Sequence, residues 1–378
     1  MKILHIITSL DQGGAEAVLC RLLTAKNKGV EYSVISLKGD GFYGDMLRAN
    51  GLVPYCFQFK RGFQLTSLFD FIRLVRLIAR LSPDVVQTWL YHADLLGGVA
   101  ARLARCRCIV WGIRTSSVGS SLNGCFTRLV AWLCARLSSV VPSAIATCSI
   151  EAVKSHKKMG YDPAKFHVIP NGFDLVAYKP DRTKRQQLRQ EWGVSTDEVL
   201  IGCVARWDPY KDHPNLLLAL KLVAGTGTRV RCVLVGSGLT ERNSVLARLL
   251  SECGLIDSVI LAGPRSDIPA VMNALDFHIL PSVSEGFPNV VAEAMACGTR
   301  CVVTDVGDAA MIVGDTGWVV PAKESVLLAH AIGAALGDFG GENDAKLRLE
   351  ARKRIVDNFS LERMTQAYVR LWASEILT

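Results

Sequence analysis

The sequence predicts an α/β protein made of two parallel-sheet domains. Three observations carry that class. Short apolar runs alternate with helix-patterned segments through the first half of the chain, the pattern of βαβ units. The same alternation restarts near Val199 and runs through the second half. Between the halves lies one polar stretch, near Tyr178–Arg182, which contains Pro180 and follows the turn Pro170-Asn171-Gly172-Phe173-Asp174.

In the first half, strands are expected at Lys2–Ile7, Tyr32–Leu37, Val53–Phe57, Val85–Thr88, Ile109–Ile113, Ala144–Thr147 and Phe166–Ile169. Helices are expected at Ala15–Ala25, Gly44–Ala49, Leu65–Leu81, Ala93–Ala104, Leu122–Leu137 and Ile150–Met159. In the second half, strands are expected at Val199–Val204, Val230–Val235, Val259–Leu261, Phe277–Leu280, Arg300–Val303 and Gly317–Val319, with helices between them. Helix-forming sequence runs from Val290 to Cys297 and is stopped by Gly298. A last helix is expected at Ser360–Leu377, capped by Ser360.

A length of 378 residues suits about two domains, and a composition 50% hydrophobic and 21% charged is that of an ordinary globular chain. No run of about 18 uncharged apolar residues occurs, so no transmembrane helix is expected. The apolar run at Met1–Ile7 is too short for a signal peptide, Asp11 ends it, and it reads as the first strand. The 12 cysteines lack metal spacing: Cys106/Cys108 and Cys297/Cys301 have no matching second pair. Cys20, Cys203 and Cys232 sit in apolar runs as small hydrophobes. So much unpaired cysteine belongs in a reducing compartment, and the cytoplasm is expected.

Charge is uneven. Residues 1–180 hold 22 Lys+Arg against 11 Asp+Glu, a net of +11, while residues 181–378 carry a net of −3. A basic first half implies an anionic partner. Within it, Leu122–Leu137 has apolar residues at helical spacing with Arg128, Trp132 and Arg136 alongside. A packed helix and a membrane-interface helix both fit. Leu68-Ile72-Val75-Ala79 with Arg73, Arg76 and Arg80 is a second such segment.

The most informative stretch is Glu285-Gly286-Phe287-Pro288-Asn289-Val290-Val291-Ala292-Glu293. Glu285 falls on a loop at the carboxyl end of a strand, and Glu293 about one turn into the next helix. Amides at a helix start favour an anion, and open α/β sheets bind ligands at the carboxyl ends of strands. Two carboxylates flanking an anion site suit a nucleotide-sugar. Gly13 and Gly14 open the first helix, where glycine admits close approach of a phosphate; a tight turn without ligand also fits. Glu16 reads as a first-turn carboxylate favoured by the helix dipole. Arg206 and Lys211 follow the first strand of the second half and can neutralise a diphosphate, or pair with Asp208 or Asp212. His92 and Arg114 end strands in the basic half; Arg114 is either an acceptor-phosphate ligand or a satisfied loop cation.

The ordered set Gly13-Gly14-Ala15-Glu16, Asn171-Gly172-Phe173-Asp174, Arg206 with Lys211, Val235-Gly236-Ser237-Gly238 and Glu285-x7-Glu293 resembles the family-four retaining glycosyltransferases over nearly the whole chain. The resemblance implies the GT-B fold: two Rossmann-like domains facing across a cleft, residues 1–179 for the acceptor and 180–359 for the donor, with residues 360–378 as a helix crossing back to the first. It implies that the Gly13-Gly14 loop lies against the donor diphosphate, that Glu293 binds ribose hydroxyls, and that Glu285 binds the transferred sugar. Backbone amides of Gly286, Phe287, Asn289 and Val290 complete that cradle. The loops at Gly236 and at Gly263-Pro264-Arg265 approach the nucleotide, and His92 lies beside the reacting sugar. The implied catalytic set is His92, Arg206, Lys211 and Glu285.

The expected function is retaining transfer of a sugar from a nucleotide-sugar, with UDP the expected carrier, to a glycan or polyprenyl-diphosphate-linked acceptor of polysaccharide biosynthesis. The net +11 half fits such an acceptor, an anionic membrane surface, and a peripheral place on the inner face of the cytoplasmic membrane. No D-x-D occurs, so no metal or other cofactor is expected. A nucleotide-sugar 2-epimerase of the same fold and a transferase for a soluble acceptor are the alternatives. No nucleic-acid module is present. No G-x-G-x-x-G follows a strand, which disfavours a dehydrogenase.

Overall fold

The computed structural model describes residues 1–25, 27, 29–59, 65–115, 125–227 and 230–377. They form two compact units: Met1–Gly172 with Leu361–Thr378, and Phe173–Ser360.

The first unit runs β1 (Lys2–Ile7), α1 (Gly14–Thr24), β2 (Glu31–Ser36), α2 (Gly41–Ala49), β3 (Tyr55–Cys56), α3 (Leu65–Leu81), β4 (Val85–Trp89), α4 (Tyr91–Leu103), β5 (Cys108–Ile113), α5 (Cys125–Leu137), β6 (Ala144–Thr147), α6 (Ile150–Lys158) and β7 (Phe166–Val168). Among the described residues its sheet has the order β3-β2-β1-β4-β5-β6-β7, and its pairings are parallel. Side chains alternate across it. Leu4 and Ile6 face a core shared with α3, α4 and α5, while Ile3 and Ile7 face one shared with α1. Two expectations shrink. The Val53–Phe57 strand is only β3, because Pro54 has no N–H to give to a ladder. The Leu122–Leu137 helix is described from Cys125; residues 122–124 lie outside the described residues, as does Ser116 after Arg114.

The second unit runs α7 (Arg182–Glu191), β8 (Leu200–Val204), α8 (His213–Gly225), β9 (Arg231–Val235), α9 (Ser244–Cys253), β10 (Val259–Gly263), α10 (Ile268–Ala274), β11 (Phe277–Leu280), α11 (Asn289–Ala296), β12 (Arg300–Thr304), α12 (Ala309–Val313), β13 (Trp318–Val320), α13 (Ser325–Gly337) and α14 (Glu342–Asn358). Its parallel sheet has the order β10-β9-β8-β11-β12-β13. The closing helix, α15 (Leu361–Leu377), belongs to the first unit: Met364, Tyr368, Leu371 and Trp372 bury there, and Trp372 Nε1 donates to Gln87 Oε1 at 3.1 Å.

The boundary lies at Gly172/Phe173 and not at residue 179/180. The Phe173 N–H donates to Phe359 O at 2.9 Å, and its ring stacks on Phe287 with centroids 6.2 Å apart, so the turn already belongs to the second core. Asp181, expected in a linker, caps α7 by accepting the Lys184 N–H at 3.0 Å. Among the described residues no helix is long and apolar enough to cross a membrane.

Candidate functional site

Strand order reverses between β1 and β4 in the first sheet and between β8 and β11 in the second. Such switch points open a crevice at the carboxyl ends of the strands. The loops after β8 and β11 carry Arg206, Lys211 and Glu285; the loop after β1 carries Gly13, and His92 is the second residue of α4, directly after β4.

In the second unit the β8 loop is fastened to its neighbours through Trp207, whose N–H donates to Ser237 O at 2.7 Å. Asp208 accepts the Tyr210 N–H at 2.9 Å and takes Arg206 Nε and Nη2 at 3.0 Å each. Burial opposes ionisation of Asp208, but the Tyr210 N–H and Arg206 outweigh it and hold the carboxyl below its usual range. Arg206 is therefore hooked at one edge, with its side chain still 67% exposed. Asp212 sits in the left-handed region at φ 45° and caps α8 at Asn215. A non-glycine residue there marks a locally constrained turn.

Lys211 Nζ meets Glu285 Oε1 at 2.6 Å, and Ser282 Oγ donates to the same oxygen at 2.7 Å. The two loops are braced behind this pair. The Val283 N–H donates to Tyr210 O at 2.8 Å, and Thr304 Oγ1 donates to Ser282 O at 2.6 Å. Asp308 N–H holds Gly286 O at 3.0 Å. Phe287 anchors the loop inward, its ring against Phe173 and Phe359, which leaves its backbone as the part able to meet a ligand. Pro288 stands at the N-cap of α11 and supplies no side-chain acceptor, so the amides of Asn289 and Val290 open the helix. Glu293 is half-buried one turn on, among the buried Val291, Ala292, Ala294, Met295 and Ala296.

Gly236 and Gly263 do packing work. Gly236 has φ 149°, and a Cβ on it would lie 2.1 Å from Ala205 O; its N–H donates to Gly263 O at 2.8 Å. Together they let the carboxyl ends of β8, β9 and β10 converge. Arg265, expected near the nucleotide, is held by partners within the second unit. Its guanidinium forms two 2.7 Å bonds to Asp267 and one of 2.6 Å to Glu191, and lies over Trp192. Its charge is already compensated inside the unit.

The sequence reading missed His213 and His278. Both are buried with neither ring nitrogen hydrogen-bonded among the described residues. Burial, helped by the charge of Lys211, lowers His213 to about 4 and His278 to about 3, so Lys211 stands near two neutral imidazoles.

In the first unit, Gly13 is the extended N-cap of α1, and a Cβ on it would lie 2.2 Å from Glu16 Oε2. The Glu16 carboxylate thus already covers the helix start where a phosphate was expected. Burial, then Asp11, raises its pKa. Of the two readings given for Arg114, the contacts favour the satisfied cation. It donates to Tyr368 Oη at 3.1 Å and to Asn171 Oδ1, and lies 5.1 Å from the centroid of Trp89, so it ties β5 to α15 as a packed cation.

His92 follows a constrained turn: Leu90 has φ 73°, in a region that favours glycine, and its N–H donates to Gly112 O at 2.9 Å. Asp94 holds this turn, a role no sequence signal marked. Fully buried, it accepts Thr88 Oγ1 at 2.6 Å and the Gly112 N–H at 3.2 Å, and its own N–H donates to Leu90 O at 2.9 Å. Burial pushes its pKa up to about 8, against the Thr88 and Gly112 hydrogen bonds. Folded Asp94 keeps a proton that the unfolded chain releases near pH 3.8. Its contribution to stability is full below that value, falls as pH rises, and is gone above about 8. Asp94→Asn should therefore make the thermal midpoint less steep in pH between about 5 and 8, by up to about 1.4 kcal/mol per pH unit. An unchanged slope would show that Asp94 is ionised in the fold.

Glu285, Lys211 and Arg206 thus share one end of the second sheet, and His92 and Gly13 one end of the first. Among the described residues no three potential metal-ligating side chains converge. Two family profiles match: "Glycosyltransferase Family 4" over residues 12–176 and "Glycosyl transferases group 1" over residues 198–338. A putative glycosyltransferase, EpsF of Bacillus subtilis, is 26% identical over 312 residues, 80% of this chain and 79% of that one. The Escherichia coli "UDP-Gal:alpha-D-GlcNAc-diphosphoundecaprenol alpha-1,3-galactosyltransferase" is 27% identical over 243 residues, 64% of this chain and 63% of that one. The crystal structure of Anabaena HepE in complex with UDP superposes with a TM-score of 0.86 at 24% identity, covering 99% of this chain and 100% of that one. The chain belongs to the family-four, group 1 glycosyltransferases and has their GT-B fold.

Proposed function

We propose that the chain is a retaining, metal-independent hexosyltransferase that moves a sugar from a UDP-sugar to a lipid-diphosphate-linked glycan in the cytoplasm. The Lys211–Glu285 pair at 2.6 Å carries this reading, because it places a cation and an acceptor for sugar hydroxyls side by side at the carboxyl ends of β8 and β11. The diphosphoundecaprenol-linked acceptor of the Escherichia coli galactosyltransferase and the UDP bound to the Anabaena protein support the acceptor and the nucleotide. The 12 free cysteines support the compartment.

The second unit holds the donor. The bond from the anomeric carbon to the diphosphate breaks, and its electron pair leaves with the phosphate oxygen. Arg206, Lys211 and the amides opening α11 neutralise that charge, the largest contribution available to such a step. Glu285 holds sugar hydroxyls and Glu293 the ribose. The acceptor hydroxyl attacks from the face the diphosphate leaves, and its proton passes to the departing phosphate. The first unit, which carries His92 and Gly13-Gly14 at one end of its sheet, holds the acceptor. The cations stand in for a metal, consistent with the missing D-x-D.

Transfer to a polyprenyl-diphosphate-linked sugar should exceed transfer to the same free sugar by at least about 100-fold, because remote binding energy is used in the transition state. Nucleoside-diphosphate release measured with each acceptor decides it. Equal rates overturn the lipid-linked acceptor, and release of free sugar without acceptor would mark an epimerase instead.

A further inference from the structure

We infer that the outer faces of α3 and α5 are the surface by which the first unit rests on a bilayer containing acidic phospholipid, so that a membrane-embedded acceptor meets the unit at its His92 end. This deepens, and rests on, the lipid-linked acceptor proposed above.

The helices α3, α4 and α5 pack side by side on one face of the first sheet. Each commits one stripe to the core: Leu74 and Ile78 of α3, and Val130, Ala131, Cys134 and Ala135 of α5. The stripe opposite should be polar on a water-facing helix. Instead α3 exposes Leu68, Phe69 and Ile72, and α5 exposes Phe126, Leu129 and Trp132, each of these α5 residues about half accessible. Phe126 and Leu129 fall at helical spacing with the buried Val130 and Cys134, yet both turn outward.

Only cations accompany these groups along α5, which contains Arg128 and Arg136 and no acidic residue. The Arg136 guanidinium lies 5.4 Å from the Trp132 ring centroid. On α3 the exposed run continues through Arg73, Arg76 and Arg80; the one acidic residue, Asp70, pairs with Arg73 at 3.1 Å. Exposed aromatic and aliphatic side chains interleaved with arginine describe a helix lying in a lipid interface. The two stripes are separated by α4, and one planar anionic surface can meet both.

Topology gives the direction. Each helix follows a strand of a parallel sheet, so α3 and α5 both begin at its carboxyl edge, and the exposed apolar residues lie toward that end, from Leu68 in α3 and from Phe126 in α5. The Phe126 ring lies 5.8 Å from that of His92. The apolar patch thus reaches the candidate site, where a lipid-linked sugar would arrive.

The test is cosedimentation of the full chain with vesicles of phosphatidylcholine alone and of phosphatidylcholine mixed with phosphatidylglycerol. The wild type should sediment with the mixed vesicles and not with the neutral ones. Leu129→Glu with Trp132→Glu, and separately Leu68→Glu with Phe69→Glu, should each lower partitioning at least about tenfold. Transfer to an acceptor embedded in vesicles should fall in step, while transfer to a short-chain, detergent-soluble acceptor stays within about twofold of wild type. Arg76→Gln with Arg136→Gln keeps the test alive should a glutamate pair fail to fold, and should weaken binding to the mixed vesicles. No sedimentation, equal binding to both vesicles, or undiminished binding by all variants overturns the inference. Absence of transfer to either acceptor would overturn the proposed function instead, with vesicle binding still deciding this surface.

Discussion

Lys211→Ala and Glu285→Ala are each expected to lower turnover about 10²- to 10³-fold while the fold stays intact. The two side chains form one device. Lys211 Nζ lies 2.6 Å from Glu285 Oε1, and the Ser282 hydroxyl aims the carboxylate. Removing Lys211 takes away a cation that meets the departing diphosphate and frees Glu285 to turn away from the sugar. Removing Glu285 leaves Lys211 without its orienting partner. The double variant should therefore be little worse than the poorer single one, since groups acting as a unit are not additive. With side chains only 21% and 11% exposed, each deletion leaves a partly desolvated partner and should cost about 1–3 kcal/mol, a loss that the fold survives. Steady-state release of nucleoside diphosphate, with a thermal scan of each variant, checks both halves. Turnover within about threefold of wild type in either single variant would remove the pair from the donor site.

The other large effect concerns stability. Asp276→Ala is expected to destabilise the second unit by about 3–5 kcal/mol, because it strands a buried cation. Asp276, 1% exposed, receives Arg185 Nη2 at 2.5 Å, Arg189 Nη1 at 3.1 Å and the Leu200 N–H at 2.7 Å. Arg189 is itself buried, and desolvation lowers its pKa against the pull of Asp276. This carboxylate therefore fastens α7 to the start of β8. Urea unfolding followed by circular dichroism measures the loss, and Asp276→Asn should recover part of it. A change below about 1 kcal/mol would mean that the arginines find other partners.

Strand and helix order was readable because buried parallel strands are continuous apolar runs, as at Ile3–Ile7 and Phe277–Leu280, punctuated by glycine and proline. The loops bearing Glu285 and Lys211 were readable for the same reason: they follow such runs directly. Their contact was not, since 74 residues separate the two. The arginines show the general difficulty. In sequence, Arg114 and Arg265 are cations at strand ends, just as Arg206 is. Tyr368, 254 residues away, and Glu191, 74 away, hold two of them in ways that no local pattern announces. In sequence Asp94 is one more carboxylate, and only the Thr88 and Gly112 contacts make it a buried anchor. An apolar stripe along α5 could be counted, but which side met the sheet depended on the core that Val130 and Cys134 join.

The return of α15 to the first unit has a consequence for synthesis. The second unit is one unbroken stretch, so it can complete its core while the chain is still being made. The first unit cannot, although most of it emerges earlier. Until residues 361–377 leave the ribosome, one face of β1 and β4 lacks Tyr368 and Trp372, and His5, Trp89 and Gln87 await their partners. The half of the protein translated first is the half that finishes folding last.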